Sequence, residues 1–205
     1  MRTRSALVFV DWDSARRISS SGRIKRPQRE IENAIEALQD EVAKLLCGGE
    51  VYRVFWRIYH GWHEGTKATR DRTFFESFVG NYRSRSIGKI SFGQNFAYGD
   101  EMLCQSWRSP LRFTLRKRSD RNGDERVQKM VDTALVSDLL QAARSGDYGR
   151  LIVIGDDDDL LPGLFAAEKW GAPVQLLRLT NSSSLPLMRG RDKEFPITMM
   201  QRRER

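Results

Sequence analysis

The chain of 205 residues is long enough for one large domain with a substantial core, and two full domains are less expected. Its 40% hydrophobic residues are typical of a globular protein, and no apolar run approaches the ~20 residues needed to span a bilayer. The net charge of +8 favours a polyanionic partner, with nucleic acid first and an acidic membrane surface second.

The two cysteines indicate a reducing compartment. Cys47 and Cys104 are too few for a disulfide framework, and neither has the spacing of a zinc ligand. The N-terminal apolar stretch is only about six residues long, so it predicts a strand and not a secretory signal. We therefore expect a cytoplasmic protein.

The first part of the chain predicts strands and helices in alternation. Residues 5–11 are an apolar run typical of a buried strand. Pro27 suits the first turn of a helix whose apolar residues recur at helical spacing and which ends at Gly48. Residues 51–60 are rich in β-branched and aromatic side chains and predict a second strand. A second helix is expected over 71–84.

The middle of the chain is less regular. Residues 85–110 carry no clear pattern. Residues 111–117 alternate apolar and polar side chains, which predicts a strand with one face in solvent. A polar loop is expected over 119–125, followed by a helix over 126–144.

The last part returns to a regular alternation. Residues 151–155 predict an uninterrupted buried strand, 160–170 a helix and 174–179 a final strand. Residues 181–205 are polar and basic, and we expect a flexible tail to which the sequence assigns no function.

This alternation predicts the fold class. Continuous apolar strands separated by helices indicate a single α/β domain over residues 1–180, with a doubly wound, mainly parallel β-sheet covered by helices on both faces. Ligands bind such sheets beyond the carboxyl ends of the strands. Asp11 and the aspartates at 156–159 each follow a strand, so we expect them to face the same crevice.

The run Asp156–Asp159 concentrates negative charge in a basic protein. Two unit charges about 4 Å apart repel by roughly 4 kcal/mol at an effective dielectric near 20. One aspartate could cap the helix that follows, and the others would need a cation unless the segment is a solvated acidic loop. Magnesium is held by one or two carboxylates plus waters and substrate phosphates, so the cluster suits it.

The helix predicted over 126–144 brings two further carboxylates. Asp138 falls within its apolar stripe, and Asp132 falls at the edge of the stripe. A carboxylate on a buried face is unfavourable unless it is paired or binds a metal. For Asp138, a salt bridge to one of the many arginines and a metal role remain equal alternatives.

Several common types of site are excluded. His60 and His63 are the only histidines and have no cysteine companion, which argues against a zinc site or a histidine-based nucleophile system. The sequence also lacks the GxGxxG, GxxxxGK[ST] and GxSxG motifs of dinucleotide-binding proteins, P-loop proteins and α/β-hydrolases.

Three segments, in this order, resemble the NYN branch of the PIN-like ribonucleases. Residues 8–14 (VFVDWDS) resemble the first motif of the family, a strand that ends in Asp. Residues 128–140 (QKMVDTALVSDLL) resemble its "KGVD…D" helix, and residues 154–162 (IGDDDDLLP) resemble its "SxDxDΦxP" motif. The resemblance covers roughly residues 5–180 and does not extend to 85–125 or to the tail.

The resemblance implies a metal-dependent ribonuclease that hydrolyses RNA phosphodiester bonds with Mg²⁺ or Mn²⁺. Counting back from Pro162 assigns the aspartate pair of the third motif to Asp157 and Asp159, whereas counting from Gly155 would choose Asp156 and Asp158; we prefer the proline because it also fixes the helix register. The implied catalytic and metal-binding residues are Asp11, Asp132, Asp157 and Asp159. The residues expected to support them are Asp13, Ser14, Lys129, Asp138 and Asp156. Asp158 is expected to face solvent.

Two positions depart from the family pattern. Ser14 stands where the family has Asn, so the amide that would orient the first Asp is missing. Met130 replaces the usual Gly beside Lys129. Neither change removes a carboxylate, but both put the level of activity in doubt.

Basic and aromatic residues provide candidate contacts to single-stranded or structured RNA. The phosphate-binding candidates are Arg112, Arg116, Lys117, Arg118 and Arg121, and the alternative is a solvated strand face. The candidates for stacking on unpaired bases are Trp56, Trp62 and Trp107, although aromatic residues more often belong to the core.

Two other functions remain open from the sequence. A nucleic-acid-binding module with a degenerate acidic site is supported by the Ser14 departure. A receiver-type phosphate-handling domain also collects aspartates at strand ends, but it would have its paired acids after the first strand and a lysine near its end. A membrane partner is not expected, and a homodimer is left open.

Overall fold

The computed structural model describes residues 2–18, 27–104, 110–120, 123–178 and 197–199. The strands are β1 (Thr3–Asp11), β2 (Val51–Tyr59), β3 (His63–Glu64), β4 (Lys67–Ala68), β5 (Arg85–Ile87), β6 (Ile90–Tyr98), β7 (Leu115–Asp120), β8 (Gly123–Gln128), β9 (Arg150–Ile154), β10 (Val174–Arg178) and β11 (Ile197–Met199). The α-helices are α1 (Trp12–Ala15), α2 (Pro27–Leu46), α3 (Arg70–Asn81), α4 (Val131–Ser145) and α5 (Leu161–Lys169), with 3₁₀ turns at Arg16–Ile18 and Asp158–Leu160. None of the helices in these ranges is long and apolar enough to cross a membrane.

A seven-stranded sheet forms the centre of the molecule, in the order β11-β10-β9-β1-β2-β6-β5. All neighbours in it pair in parallel except β5, which runs antiparallel to β6. Strands β3 and β4 form a separate short ribbon, and β7 and β8 form a hairpin. The predicted α/β class with a mainly parallel sheet is therefore confirmed.

The two faces of the sheet bury separate sets of apolar side chains, because consecutive residues of a strand point in opposite directions. Ala6, Val8 and Val10 of β1 join a cluster that includes the apolar residues of α2 and α3. Leu7 and Phe9 of the same strand join a second cluster with α4 and α5. Helices thus cover both faces, and β1 lies between two apolar layers.

The segment from 111 to 130 differs from the prediction. The strand expected over 111–117 begins only at Leu115 and extends to Asp120. The loop expected over 119–125 is wrong for residues 119–120, which belong to β7, and for residues 123–125, which belong to β8. The helix expected from 126 begins at Val131, because residues 123–128 pair with β7 instead. Val127 fits a helical stripe and a strand alternation equally well, and the pairing with β7 decides between them.

Two other segments acquire structure that the sequence did not predict. Residues 85–110, which carried no clear pattern, contain β5 and the nine-residue strand β6. Ile197–Met199 lies within the expected flexible tail and pairs in parallel with β10 as the edge strand β11.

Candidate functional site

The carboxyl ends of three neighbouring strands bring the candidate residues together. In the parallel registers of the sheet, Asp11 at the end of β1 lies opposite Tyr59 at the end of β2, and Val10 lies opposite Ile154 at the end of β9. A Cβ atom added to Gly155 would lie 3.3 Å from the Asp11 Cβ atom and 2.9 Å from Leu160 Cδ1. The glycine therefore lets the chain that follows β9 pass close to Asp11.

Asp11 is buried and held by local hydrogen bonds. It is 8% exposed and caps α1, with Oδ1 accepting a hydrogen bond from the backbone N–H of Asp13 at 3.1 Å. Its other oxygen, Oδ2, accepts a hydrogen bond from the Ser14 hydroxyl group. Ser14 Oγ in turn accepts one from the backbone N–H of Asp156 at 3.3 Å, so it joins the ends of β1 and β9.

The electrostatics show that aspartates from separate segments share one region. Burial raises the pKa of Asp11, and the negative charges of Asp13 and Asp132 raise it further against the lowering effect of the Ser14 hydrogen bond. Desolvation also raises the pKa of Asp132 in the first turn of α4, as do the charges of Asp157 and Asp159. The ionised forms of Asp11 and Asp132 are therefore disfavoured both by burial and by carboxylates from other segments of the chain.

The four consecutive aspartates have different environments. Asp157 caps the 3₁₀ turn, its Oδ1 accepting a hydrogen bond from the backbone N–H of Asp159 at 2.9 Å, and both residues are exposed. Asp158 was expected to face solvent; its side chain is 36% exposed, and its carboxylate also pairs with Arg178 Nη2. The Arg178 side chain, at the end of β10, is 3% exposed, so the partner of Asp158 is a buried cation.

Asp138 belongs to a buried ion pair. Its residue has 0% exposure, and Oδ2 lies 2.8 Å from Arg57 Nη2 and 2.7 Å from the Tyr59 hydroxyl oxygen. Oδ1 accepts a hydrogen bond from the backbone N–H of Leu103 at 2.7 Å. The salt-bridge alternative is confirmed, and these contacts account for both oxygens of Asp138.

Asp13 lies in a polar network that the sequence did not reveal. Its Oδ1 is 2.6 Å from Arg16 Nη2, and its Oδ2 accepts a hydrogen bond from the Gln128 amide. The same amide lies 2.8 Å from His60 Nδ1, while His60 Nε2 lies 3.0 Å from Asp71 Oδ2. The hydrogen bond with His60 is the main reason why the pKa of Asp71 is lowered.

The sequence indicated only the position of one member of this network, His60. His60 directly follows β2, which neighbours β1 in the sheet, so it had to lie near the end of β1. The contribution of Gln128 depends on the β7–β8 hairpin, and no pattern in the sequence connected that residue to Asp13.

The candidate RNA contacts are placed only in part. Arg112, Arg116 and Lys117 are exposed, as is Lys129, whereas the Arg118 side chain and Arg121 lie outside the described part of the chain. Trp56 and Trp62 are both 0% exposed, so stacking on bases is wrong for them and the core alternative is confirmed. Trp107 lies outside the described residues.

The donor chemistry of this edge suits Mg²⁺ or Mn²⁺. In the described residues, no group of three or more His, Cys, Asp or Glu side chains is arranged to hold a metal ion. The candidate donors are nevertheless all carboxylates, and magnesium typically takes one or two protein carboxylates and completes its shell with water and phosphate oxygens. Asp11, Asp132, Asp157 and Asp159 offer carboxylate donors of this kind for one or two such ions.

Comparison with models of known protein families gives no match to the sequence, and comparison with curated protein sequences gives none either.

Proposed function

We propose that the protein is a Mg²⁺- or Mn²⁺-dependent ribonuclease that hydrolyses RNA phosphodiester bonds at the carboxyl edge of β1 and β9. The carrying observation is that Asp11 and Asp132, whose pKa values are raised first by burial, are raised further by carboxylates from other segments: Asp132 acts on Asp11, and Asp157 and Asp159 act on Asp132. Mutually repelling carboxylates from three segments are a destabilising arrangement that a divalent cation would relieve.

The finer topology that accompanies this function is a doubly wound, PIN-like fold. Its support is the central position of β1, the parallel order of the neighbouring strands and the helices on both faces. The motifs that resemble NYN ribonucleases also fall at matching places: after β1, at the start of α4 and after β9.

In this mechanism, Asp11, Asp132, Asp157 and Asp159 would hold the cation and the scissile phosphate would lie among them. When bound, the cation would lower the pKa of a water molecule and neutralise negative charge on the phosphate. Ser14 and the backbone N–H of Asp13 fix the orientation of the Asp11 carboxylate by donating to both of its oxygens. The exposed Arg112, Arg116 and Lys117 would contact phosphates away from the scissile bond.

The test is cleavage of a labelled RNA with Mn²⁺ added, comparing the wild type with Asp132→Asn and Asp157→Asn. Residues that only hydrogen-bond to a metal ligand usually cost about 10–100-fold in activity when they are mutated. Each of these two variants should lose more than that, because it changes a proposed ligand itself. Asp147→Asn is the matched control, because Asp147 is exposed beside the amino end of β9, at the opposite edge of the sheet. Cleavage that survives Asp157→Asn unchanged would refute this site.

A second candidate is a nucleic-acid-binding module without catalytic activity. It is favoured by the lack, within the described residues, of a ready-made group of three metal-binding side chains. Salt-sensitive RNA binding without cleavage in either metal would select this function. A cytoplasmic location fits both candidates, and a homodimer is compatible with both.

A further inference from the structure

A cleft lined by basic side chains lies beside the β3–β4 ribbon, and we call it the cationic cleft. It has a volume of about 650 Å³. Three separate elements supply its cations: Lys67 from β4, Arg70 from α3 and Arg126 from β8. Glu64 is the one acidic residue among its lining side chains in the described structure, so the cleft carries a net positive charge.

The cations of this cleft are available to a ligand. Lys67, Arg70 and Arg126 are all exposed, and within the described residues neither Lys67 nor Arg126 forms an ion pair. The Arg70 guanidinium lies 5.0 Å from the centre of the Phe74 ring, which orients it without neutralising it. Exposed cations converging from three elements suit a phosphate backbone.

A second cleft adjoins the first at Arg70, and we call it the apolar cleft. Its volume is about 420 Å³, within the range typical of small-ligand pockets. Its apolar lining comes from Trp12, Pro27, Ile31 and Phe74, and its polar lining from Arg16, Glu30, Arg70 and Asp71. A flat aromatic ring with polar edges, such as a nucleobase, matches this combination.

Two residues that line the apolar cleft, Trp12 and Arg16, connect it to the candidate site. Trp12 directly follows Asp11, and its indole ring is packed edge-on against Phe75 beneath the cleft. Arg16 Nη2 lies 2.6 Å from Asp13 Oδ1 and Arg16 Nη1 lies 3.5 Å from Asp71 Oδ2, so Arg16 links Asp13 to the lining of the apolar cleft. An RNA strand that crosses the candidate aspartates could therefore place its next nucleotides in these two clefts.

We propose that the two clefts bind unpaired nucleotides adjacent to the scissile bond. Phosphates lie on Lys67, Arg70 and Arg126, and one base enters the apolar cleft. The identification of the ligand as RNA rests on the proposed function. The apolar cleft selects single strands, because a base that is paired and stacked in a duplex cannot enter a side cleft without leaving the helix.

The phosphate part is tested by fluorescence anisotropy with a labelled 12-nucleotide single-stranded RNA and the same RNA as a duplex. EDTA is present, so that no cleavage takes place. The test variant is Lys67→Gln/Arg70→Gln/Arg126→Gln. The control with the same charge change is Arg83→Gln/Arg144→Gln/Lys169→Gln, whose positions are exposed and line neither cleft.

The slope of the logarithm of the association constant against the logarithm of the salt concentration is negative. Losing three phosphate contacts should make it shallower by about 2, since each contact contributes about 0.7 for a single strand. The test variant should bind the single strand more than tenfold more weakly, and the control should stay within twofold of the wild type. Equal losses in the test variant and the control would overturn the cationic cleft.

The base part is tested with an abasic strand of the same length and with Phe74→Leu, which keeps apolar volume but removes the ring. The wild type should prefer the normal strand to the abasic strand by about tenfold, in line with stacking of one base. Phe74→Leu should reduce that preference and leave the salt slope unchanged. An unchanged preference, or duplex binding as tight as single-strand binding, would overturn the apolar cleft.

These outcomes separate the two proposals. A wild type that binds as described but never cleaves would refute the nuclease and leave both clefts standing. Cleavage that depends on Asp157 but is indifferent to the triple variant would refute the clefts and leave the nuclease standing.

Discussion

Ser14 donates a hydrogen bond to Asp11 from the position at which the NYN pattern has an Asn. The hydroxyl group contacts Asp11 Oδ2 and also accepts a hydrogen bond from the backbone N–H of Asp156. The NYN pattern has Asn at this position, and the shorter Ser14 side chain still reaches Asp11 because Asp11 and Ser14 lie in the same helical turn. The departure therefore keeps an orienting contact on the first aspartate.

Ser14→Ala should lower both stability and activity. It removes the donor to Asp11 and the acceptor for Asp156 N–H in a buried position, and leaving such groups unpaired costs about 1–3 kcal/mol. Without this hydrogen bond, the pKa of Asp11 should rise further. Urea denaturation measures the loss of stability. RNA cleavage at several pH values measures whether the acidic limb of the pH–rate profile moves to higher pH. Ser14→Asn should restore activity, and a wild-type pH profile in Ser14→Ala would contradict this role.

Asp132→Asn should stabilise the fold at neutral pH. The pKa of Asp132 is raised in the folded protein, so the native state binds its proton more readily than the unfolded chain does. The stability associated with this group is present below 3.8, the ordinary pKa of an aspartate, and is lost as the pH rises through the higher pKa of the folded protein. The asparagine variant avoids that loss.

The measurement is the urea midpoint of the wild type and of Asp132→Asn between pH 4 and pH 7. The urea midpoint of Asp132→Asn should rise relative to that of the wild type as the pH rises, and the midpoint of Asp147→Asn should not show this trend. An advantage that is the same at every pH would mean that the charge of Asp132 is not the cause. Added Mn²⁺ should narrow the difference, because a bound cation stabilises the wild type.

Long apolar segments were predictable because their own residues determine them. The bounds of α2, β2, β9 and β10 follow from periodicity and from flanking glycine or proline, and the adjacency of Asp11 and the acidic run follows from the parallel sheet. The β7–β8 hairpin was not predictable in this way, since its strands carry few apolar residues and pair with each other and not with the central sheet.

The polar partners of the candidate site were the least predictable part. Arg178 reaches Asp158 only because β10 lies beside β9, and Gln128 reaches Asp13 only because the hairpin ends near β1. A single sequence records neither neighbour. It did predict that Asp138 needs a partner, but it could not choose Arg57 among so many arginines.

The Arg57–Asp138 pair should be a determinant of stability and not of metal binding. Removing one partner of a buried ion pair typically costs 3–5 kcal/mol, because the other charge remains buried and unpaired. Asp138→Ala should therefore destabilise strongly, as measured by urea denaturation. The double variant Arg57→Met/Asp138→Leu should recover only part of the loss, because the Tyr59 hydroxyl group and the Leu103 N–H lose their acceptor. It should keep the thermal stabilisation by Mn²⁺.

The exposed Arg53 on the same strand provides the control for this pair, since Arg53→Met should change stability by no more than about 0.5 kcal/mol. If the double variant folds but no longer responds to Mn²⁺, Asp138 belongs to the metal site after all.

Met130→Gly should stabilise the protein by about 0.5–1 kcal/mol. Met130 precedes α4 with φ +66°, in the left-handed region, and its side chain is 41% exposed, so little packing depends on it. The left-handed conformation costs a non-glycine residue roughly 1–2 kcal/mol, and the extra chain entropy of glycine offsets about 0.5–1 kcal/mol of the gain. Gly, which the NYN pattern has at this position, would adopt the backbone conformation of Met130 without this strain. Met130→Ala is the control in urea denaturation: alanine keeps the strain and should bring no gain, so equal stabilities for the two variants would refute the explanation.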